Sequence, residues 1–310
     1  MSELDMCGVF PPVPTPFDTD GNLSVAALQD NLTRWSRFEL AGFVVLGSNG
    51  EAATLDEKEK LHVLQAAREA LPADSLLIAG TGCESTRATI ALTRRAARAG
   101  ADAAMVVTPW YYHPLMSVAA LSAHFRAVAD ASPIPVLLYN VPHFTGVDMG
   151  AATVVELSTH RNIIGIKDSS GSVAKIGQIV QRTGKDFFVL TGAGAAFFPA
   201  LTMGASGGIL ALANLAPAAC VDIFRLHAAG DWEAARELQA RLIPLNSLVS
   251  SKLGPPGVKA ALDLLGYYGG PVRPPLLPPS DGDRAALRAT LAEAGLHTQT
   301  RSYTPGGEGE

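Results

Sequence analysis

Eight short, continuously apolar runs recur along the sequence, with starts about 20 to 34 residues apart, the length of one βα unit. They are Gly8–Val13, Gly42–Leu46, Leu76–Gly80, Ala103–Val107, Val136–Asn140, Ile163–Lys167, Phe187–Thr191 and Gly207–Leu210. An unbroken apolar run, as opposed to an alternating one, belongs to a parallel strand covered on both faces. Between the runs lie helix-period stretches such as Leu55–Ala70, Thr86–Ala99, Val118–Ala131, Val173–Arg182 and Pro217–Ala229. The first of these starts after Thr54, with Glu57 placed to complete a capping box and a charged first turn. Eight βα units in succession predict an α/β fold, a closed (β/α)8 TIM barrel. An open, doubly wound sheet of eight strands is the alternative that the spacing leaves.

The pattern changes after the eighth unit. Asp231–Leu248, Gly257–Gly266 and Asp281–Ala294 read as three further helices, with a Gly/Pro-rich stretch at Gly269–Pro279. A closed barrel has no edge to extend, so these helices are expected on its outside or on a partner subunit. The organisation predicted is a barrel with its catalytic site over residues 1–230, a helical extension over 231–296, and a polar tail without fixed structure over 297–310. Length alone suggests two domains at roughly 150 residues each, but α/β barrels use about 250 residues as one.

Composition excludes several function classes. With 48% hydrophobic and 17% charged residues, the chain is a folding one, not a disordered one. A net charge of -5 without any Lys/Arg-rich run argues against a nucleic-acid partner. No apolar run approaches the roughly 18 residues of a membrane span. The opening MSELDMCG lacks a basic n-region, so no leader peptide is expected. Cys7, Cys83 and Cys220 are odd in number and far apart, which suits a cytoplasmic location. His62, His113, His124, His143, His160, His227 and His297 form no HExxH pair, and no CxxC occurs, so no metal is expected. Gly192-Ala193-Gly194 after a strand looks like the start of a dinucleotide fingerprint. Phe197 stands where the third glycine belongs, however, and no acidic residue lies at the ribose position. No cofactor is expected.

In a barrel the chemistry sits at the C-terminal ends of the strands and on the loops that follow. The polar residues there are Thr15, Ser48-Asn49-Gly50-Glu51, Thr81, Thr108 with Tyr111, Tyr139, Lys167 and Gly192. Lys167 is the most informative, because Ile163-Ile164-Gly165-Ile166 delivers it on a buried strand. Burying an ammonium costs several kcal/mol, so such a lysine is either paired or held ready as a neutral amine. A neutral lysine attacks ketones and forms a Schiff base. The bland alternative is a salt bridge, although the adjacent Asp168 should point to the opposite face of the strand. Tyr139 could carry a proton to and from a substrate hydroxyl; its alternative is a core tyrosine with a bonded hydroxyl. The glycines of Gly47–Glu51 permit a tight turn of converging N–H donors, suited to a carboxylate. By itself that turn reads equally as a plain βα connection.

Together these residues are similar to a known group. Gly47–Glu51, Tyr139-Asn140-Val141-Pro142 with Thr145-Gly146, and Gly165-Ile166-Lys167-Asp168 resemble, in order and spacing, the pyruvate-dependent lyase family of dihydrodipicolinate synthase and N-acetylneuraminate lyase. The resemblance runs from about Gly8 to Leu296. Within that family, Gly47–Glu51, Gly82–Thr86, Gly100–Pro109 and Gly266–Pro271 look like the 4-hydroxy-2-oxoglutarate aldolase branch. The resemblance implies a (β/α)8 barrel with C-terminal helices, a homotetramer built as a dimer of dimers, and a cofactor-free Schiff-base mechanism on a 2-oxo acid, with pyruvate as product or co-substrate. By position, Lys167 resembles the Schiff-base lysine, Tyr139 the proton shuttle, and Tyr111 the tyrosine that crosses a dimer interface to complete the relay. Ser48 and Asn49 match the donors that hold the pyruvoyl carboxylate, and Ser169 and Gly192 match substrate-side positions.

One departure is informative. Dihydrodipicolinate synthases place an arginine two residues after the YNVP proline to grip a second carboxylate, and here that position is Phe144, after His143. An apolar ring cannot replace a bidentate clamp. The resemblance therefore points to an aldolase that splits 4-hydroxy-2-oxoglutarate into pyruvate and glyoxylate, with the distal carboxylate left to Ser169 or a backbone donor. A sibling lyase or dehydratase for another 2-oxo acid, such as a 2-keto-3-deoxy sugar acid, is the nearest alternative. A pyruvate-binding regulator without catalysis is the remote one.

Overall fold

The computed structural model describes residues 4–298, so the expected tail lies almost wholly outside the described residues. Eight strands form its centre: β1 (Gly8–Phe10), β2 (Gly42–Val45), β3 (Leu76–Gly80), β4 (Ala103–Val107), β5 (Val136–Asn140), β6 (Ile163–Asp168), β7 (Phe188–Thr191) and β8 (Gly207–Ile209). They pair in parallel in the order β1-β8-β7-β6-β5-β4-β3-β2. The two ends of that order meet. Pro12 bridges to Val44, the Val44 N–H donates to the Pro11 carbonyl at 3.0 Å, and the Val13 N–H donates to the Val44 carbonyl at 2.8 Å. The result is a TIM barrel. β1 is shorter than its apolar run because Pro11 and Pro12 have no N–H to give a ladder, which leaves a single bridge beyond Phe10.

Helices fill the connections: α1 (Val25–Trp35), α2 (Glu57–Ala70), α3 (Thr86–Arg98), α4 (Val118–Ala131), α5 (Pro142–Thr145), α6 (Ala151–Leu157), α7 (Val173–Arg182), α8 (Phe197–Thr202) and α9 (Pro217–Ala229). The start of α2 differs from the sequence expectation. Its N-cap is Asp56, boxed with Glu59, whereas the Thr54 hydroxyl donates to the Glu51 carbonyl in a 3-10 turn. Thr54 is already spent on the preceding turn, so the extended Asp56 is the residue free to cap.

Side chains alternate across the strands and sort into two layers. Phe10, Val44, Ile78, Met105, Leu137, Leu190 and Ile209, one from each of seven strands, fill the barrel interior. Val136, Leu138, Ile166 and Val189 face outward and pack with α4, α6 and α7. After α9 come α10 (Trp232–Asn246), a π turn over Ser247–Lys252, α11 (Pro255–Leu264) and α12 (Asp281–Glu293). Leu242, Val258, Leu262 and Leu287 of this extension share one cluster with Leu28, Leu32 and Trp35 of α1. The extension is thus welded to the outside of the barrel. Among the described residues no helix is long and apolar enough to cross a membrane.

Candidate active site

The eighth strand of the inner layer is β6, and it contributes Lys167 in place of an apolar residue. Gly165 and Lys167 point inward while Ile166 and Asp168 point out, and Lys167 lies in register with Tyr139 of β5. Lys167 is only 4% exposed, and its Nζ stands over the Tyr139 ring, 4.2 Å from the centroid. Among the described residues no carboxylate lies within ion-pair distance of this nitrogen. Asp168 is engaged on the other face of the strand: it accepts from Asn140 Nδ2 at 2.8 Å and from the Ser170 N–H at 2.9 Å, and pairs with Lys175 at 3.4 Å. Lys175 and Asn140 also bond Asp148, at 2.5 and 2.8 Å, and hold its carboxyl below the usual range against the opposing pull of burial.

Tyr139 is buried, and its hydroxyl lies 3.3 Å from Ser48 Oγ. Ser48 belongs to the tight turn after β2, closed by N–H donation from Gly50 to Gly47 at 3.0 Å and from Glu51 to Ser48 at 3.1 Å. Both ends of this turn are strained, because Leu46 (φ +59°) and Glu51 (φ +51°) adopt the left-handed conformation that side chains disfavour. Such residues persist only where the surroundings over-determine them, and they concentrate at ligand sites. Leu46 is accommodated because its carbonyl packs on Gly80, where any Cβ would overlap it. The side chain of the half-buried Asn49 has no partner among the described residues, which leaves its amide open to a ligand.

Opposite this turn, Gly192 follows β7. A Cβ there would run into Ser169 Oγ and lie 2.9 Å from Lys167 Cε, so glycine leaves the space in which these side chains meet. Ser169 is set by its N–H, which donates to the Asn140 carbonyl at 2.8 Å. Lys167, Tyr139, Ser48, Ser169 and Gly192 therefore converge at the C-terminal mouth of the barrel. Tyr111 does not join them within one chain. It is 73% exposed on the loop after β4, stacked edge-on against Tyr112, while Glu84 accepts the N–H groups of Trp110 and Tyr111 and fixes the loop. Thr81 turns outward to Thr93 of α3 and has no place in the site.

The profile of the Dihydrodipicolinate synthetase family matches residues 5–294. The chain belongs to this family. Family members are lyases, and the barrel mouth is where such chemistry belongs. A 4-hydroxy-tetrahydrodipicolinate synthase of Methanothrix thermoacetophila is 40% identical over 287 residues, covering 92% of this chain and 96% of its own. A probable mitochondrial 4-hydroxy-2-oxoglutarate aldolase of Emericella nidulans is 40% identical over 292 residues, covering 93% of this chain and 94% of its own. Among solved structures, the dihydrodipicolinate synthase of Bacillus anthracis superposes with a TM-score of 0.90 at 32% identity, covering 93% of this chain and 98% of its own. That of Acinetobacter baumannii, complexed with pyruvate, gives 0.90 at 33%, covering 94% and 99%.

The supporting shell is less visible in the sequence than the site. Arg273, in the Gly/Pro-rich stretch before α12, chelates Glu59 with both terminal nitrogens, donates to Gly21 and Thr54 carbonyls, and lies over the Phe17 ring. Its only sequence signal is that it stands alone as a charge among prolines and glycines.

Proposed function

We propose that this chain is a class I aldolase that cleaves 4-hydroxy-2-oxoglutarate to pyruvate and glyoxylate. The observation that carries the Schiff-base part is Lys167: a buried amine without a carboxylate partner, standing over a tyrosine whose hydroxyl reaches Ser48. The lysine nitrogen attacks the C2 ketone while Ser48, Asn49 and the turn's N–H groups receive the C1 carboxylate. The Tyr139 proton leaves with the carbinolamine hydroxyl as water, giving a protonated imine. Tyr139 then takes the proton of the C4 hydroxyl, the C3–C4 bond breaks, and its electron pair passes into the imine to give an enamine and free glyoxylate. Tyr139 returns that proton to C3, and water hydrolyses the imine to release pyruvate and restore both side chains. No step needs a metal or cofactor.

The choice of substrate rests on a different residue. Phe144, 54% exposed on α5, offers no charge to a second carboxylate where synthases of this family carry arginine. That carboxylate falls in this reading to Ser169, which lies beside Gly192 and Lys167, or to a backbone donor. The equal identity to a synthase and to an aldolase favours neither by itself, so synthase or sugar-acid lyase activity is the second reading. In the assembly proposed, a homotetramer formed as a dimer of dimers, the exposed Tyr111 reaches a partner's site and extends the Ser48–Tyr139 relay.

Pyruvate release from a panel of 2-oxo acids tests the reading, with condensation of pyruvate and aspartate semialdehyde run alongside. The expected result is the highest kcat/KM on 4-hydroxy-2-oxoglutarate and negligible condensation, because the pocket beyond C3 sets specificity. Efficient condensation, or preference for a sugar acid, overturns the substrate assignment.

A further inference from the structure

The extension reaches the barrel mouth at the turn after Gly192 and at Glu51. Gln239 of α10 accepts the Phe198 N–H at 3.0 Å and donates to the Gly194 carbonyl at 3.0 Å, which braces the turn after Gly192. The second contact is ionic and more deeply enclosed. Lys259 of α11 is 1% exposed, and its Nζ lies 2.5 Å from Glu51 Oε1, 2.8 Å from the Pro271 carbonyl and 4.2 Å from the centroid of Phe17. The other Glu51 oxygen accepts the Arg273 N–H at 3.0 Å. Glu51 is therefore a buried carboxylate held at both oxygens by the extension, and its backbone is one of the two strained ends of the Gly47–Glu51 turn.

A surface loop does not need this. Taking a carboxylate and an ammonium out of water is expensive, and a neutral packing of the same volume is often as stable. Burial pushes the Lys259 amine below its ordinary range even though Glu51 pulls it up, so the pair is retained against a real desolvation penalty. What the pair fixes is geometry. Leu46 at the start of the turn has its own restraint in Gly80, and Glu51 at the end has Lys259 and Arg273. Between these two fixed points lie Ser48, which meets Tyr139, and Asn49.

We propose that Glu51 is a positioning residue, locked by Lys259 and the Arg273 backbone so that the Gly47–Glu51 turn holds Ser48 against Tyr139 and presents its donors to the carboxylate of a 2-oxo acid. This deepens the proposed function and rests on it. The extension thereby becomes part of the active-site framework, acting on the reaction through the turn and not through contact with substrate.

The test uses the full-length protein and pyruvate, with the imine trapped by borohydride across a pyruvate titration. Glu51→Gln/Lys259→Met removes both charges and leaves neither partner stranded. The expected result is a melting temperature within about 5 °C of the wild type, with the half-saturating pyruvate concentration raised on the order of ten-fold or more by the loosened turn. Glu51→Gln alone is the second variant, with a rise in the same direction. In turnover the loss should fall mainly on KM, since Lys167 and Tyr139 are untouched. Wild-type half-saturation in either variant, whatever its melting temperature, makes the pair a stability device only and overturns the proposal. Absence of any adduct in the wild type is a different failure: it removes the Schiff-base reading itself, and the positioning role falls with it.

Discussion

Two lysines in this protein are withdrawn from water, and each has its nitrogen 4.2 Å from the centre of an aromatic ring, Tyr139 for Lys167 and Phe17 for Lys259. Their remaining neighbours differ. Lys259 has the Glu51 carboxylate as an ion-pair partner and donates to the Pro271 carbonyl. Among the described residues Lys167 has neither, because the carboxylate beside it in sequence, Asp168, faces the other way and is taken up by Asn140, Ser170 and Lys175. Strand alternation does this work: one residue of offset sends the charge to the outer layer and the amine to the inner one. Where compensation is supplied, a buried lysine is a fastening. Where it is withheld beside a tyrosine and a tight turn of donors, the proposed function has the nitrogen attack a substrate ketone.

This contrast can be broken most sharply at Lys167. Lys167→Ala should lower turnover on the order of 10⁴-fold or more, as removal of a covalent nucleophile does, with no loss in melting temperature, since no ion pair is severed. Pyruvate release and a thermal scan check both halves, and residual activity within ten-fold of the wild type breaks the account. Tyr139→Phe keeps the ring beneath Lys167 and deletes only the hydroxyl that meets Ser48. Its kcat should fall about 10²–10⁴-fold while imine formation with pyruvate persists; an unchanged kcat removes Tyr139 from the proton path.

Lys259→Met inverts the pattern by acting on stability. It strands Glu51 without its counter-charge, so urea unfolding should show a loss of about 3–5 kcal/mol. A loss under about 1 kcal/mol would make the pair no better than a surface one. A third buried base is an intermediate case, read in the pH dependence of stability. His124 of α4 has its Nδ1 paired with the Thr86 hydroxyl at 2.9 Å, its Nε2 has no partner among the described residues, and burial lowers its pKa to about 4. Between pH 6.5 and about 4 the unfolded chain takes up a proton that the folded one refuses. Stability should therefore fall as pH drops through that window, by up to about 1.4 kcal/mol per unit. His124→Gln should flatten this limb, and an unaltered slope assigns the acid sensitivity elsewhere.

The strands and the meeting of Lys167 with Tyr139 were legible because each is a local pattern: unbroken apolar runs for β1 to β8, and a lysine or tyrosine ending such a run. What could not be read locally depended on distance or brevity. Arg273 and Glu51 are 222 residues apart, and nothing near either names its partner. α5, α6 and α8 are only four to seven residues long, too short to show a helical period. Pro11 and Pro12 read as apolar but cannot extend a ladder, which shortened β1. Thr54 looked like a cap, yet its hydroxyl was already engaged by the preceding turn. Tyr111 differs from all of these, since its role in the proposed relay depends on a second copy of the chain.

The central claim is that Lys167 forms an imine with a 2-oxo acid. Borohydride reduction in the presence of pyruvate, followed by peptide mass analysis, tests it directly. The account predicts one reduced pyruvoyl group per chain, on the peptide containing Lys167, and none in Lys167→Ala. An unmodified wild-type chain, or equal labelling of the variant, would contradict it.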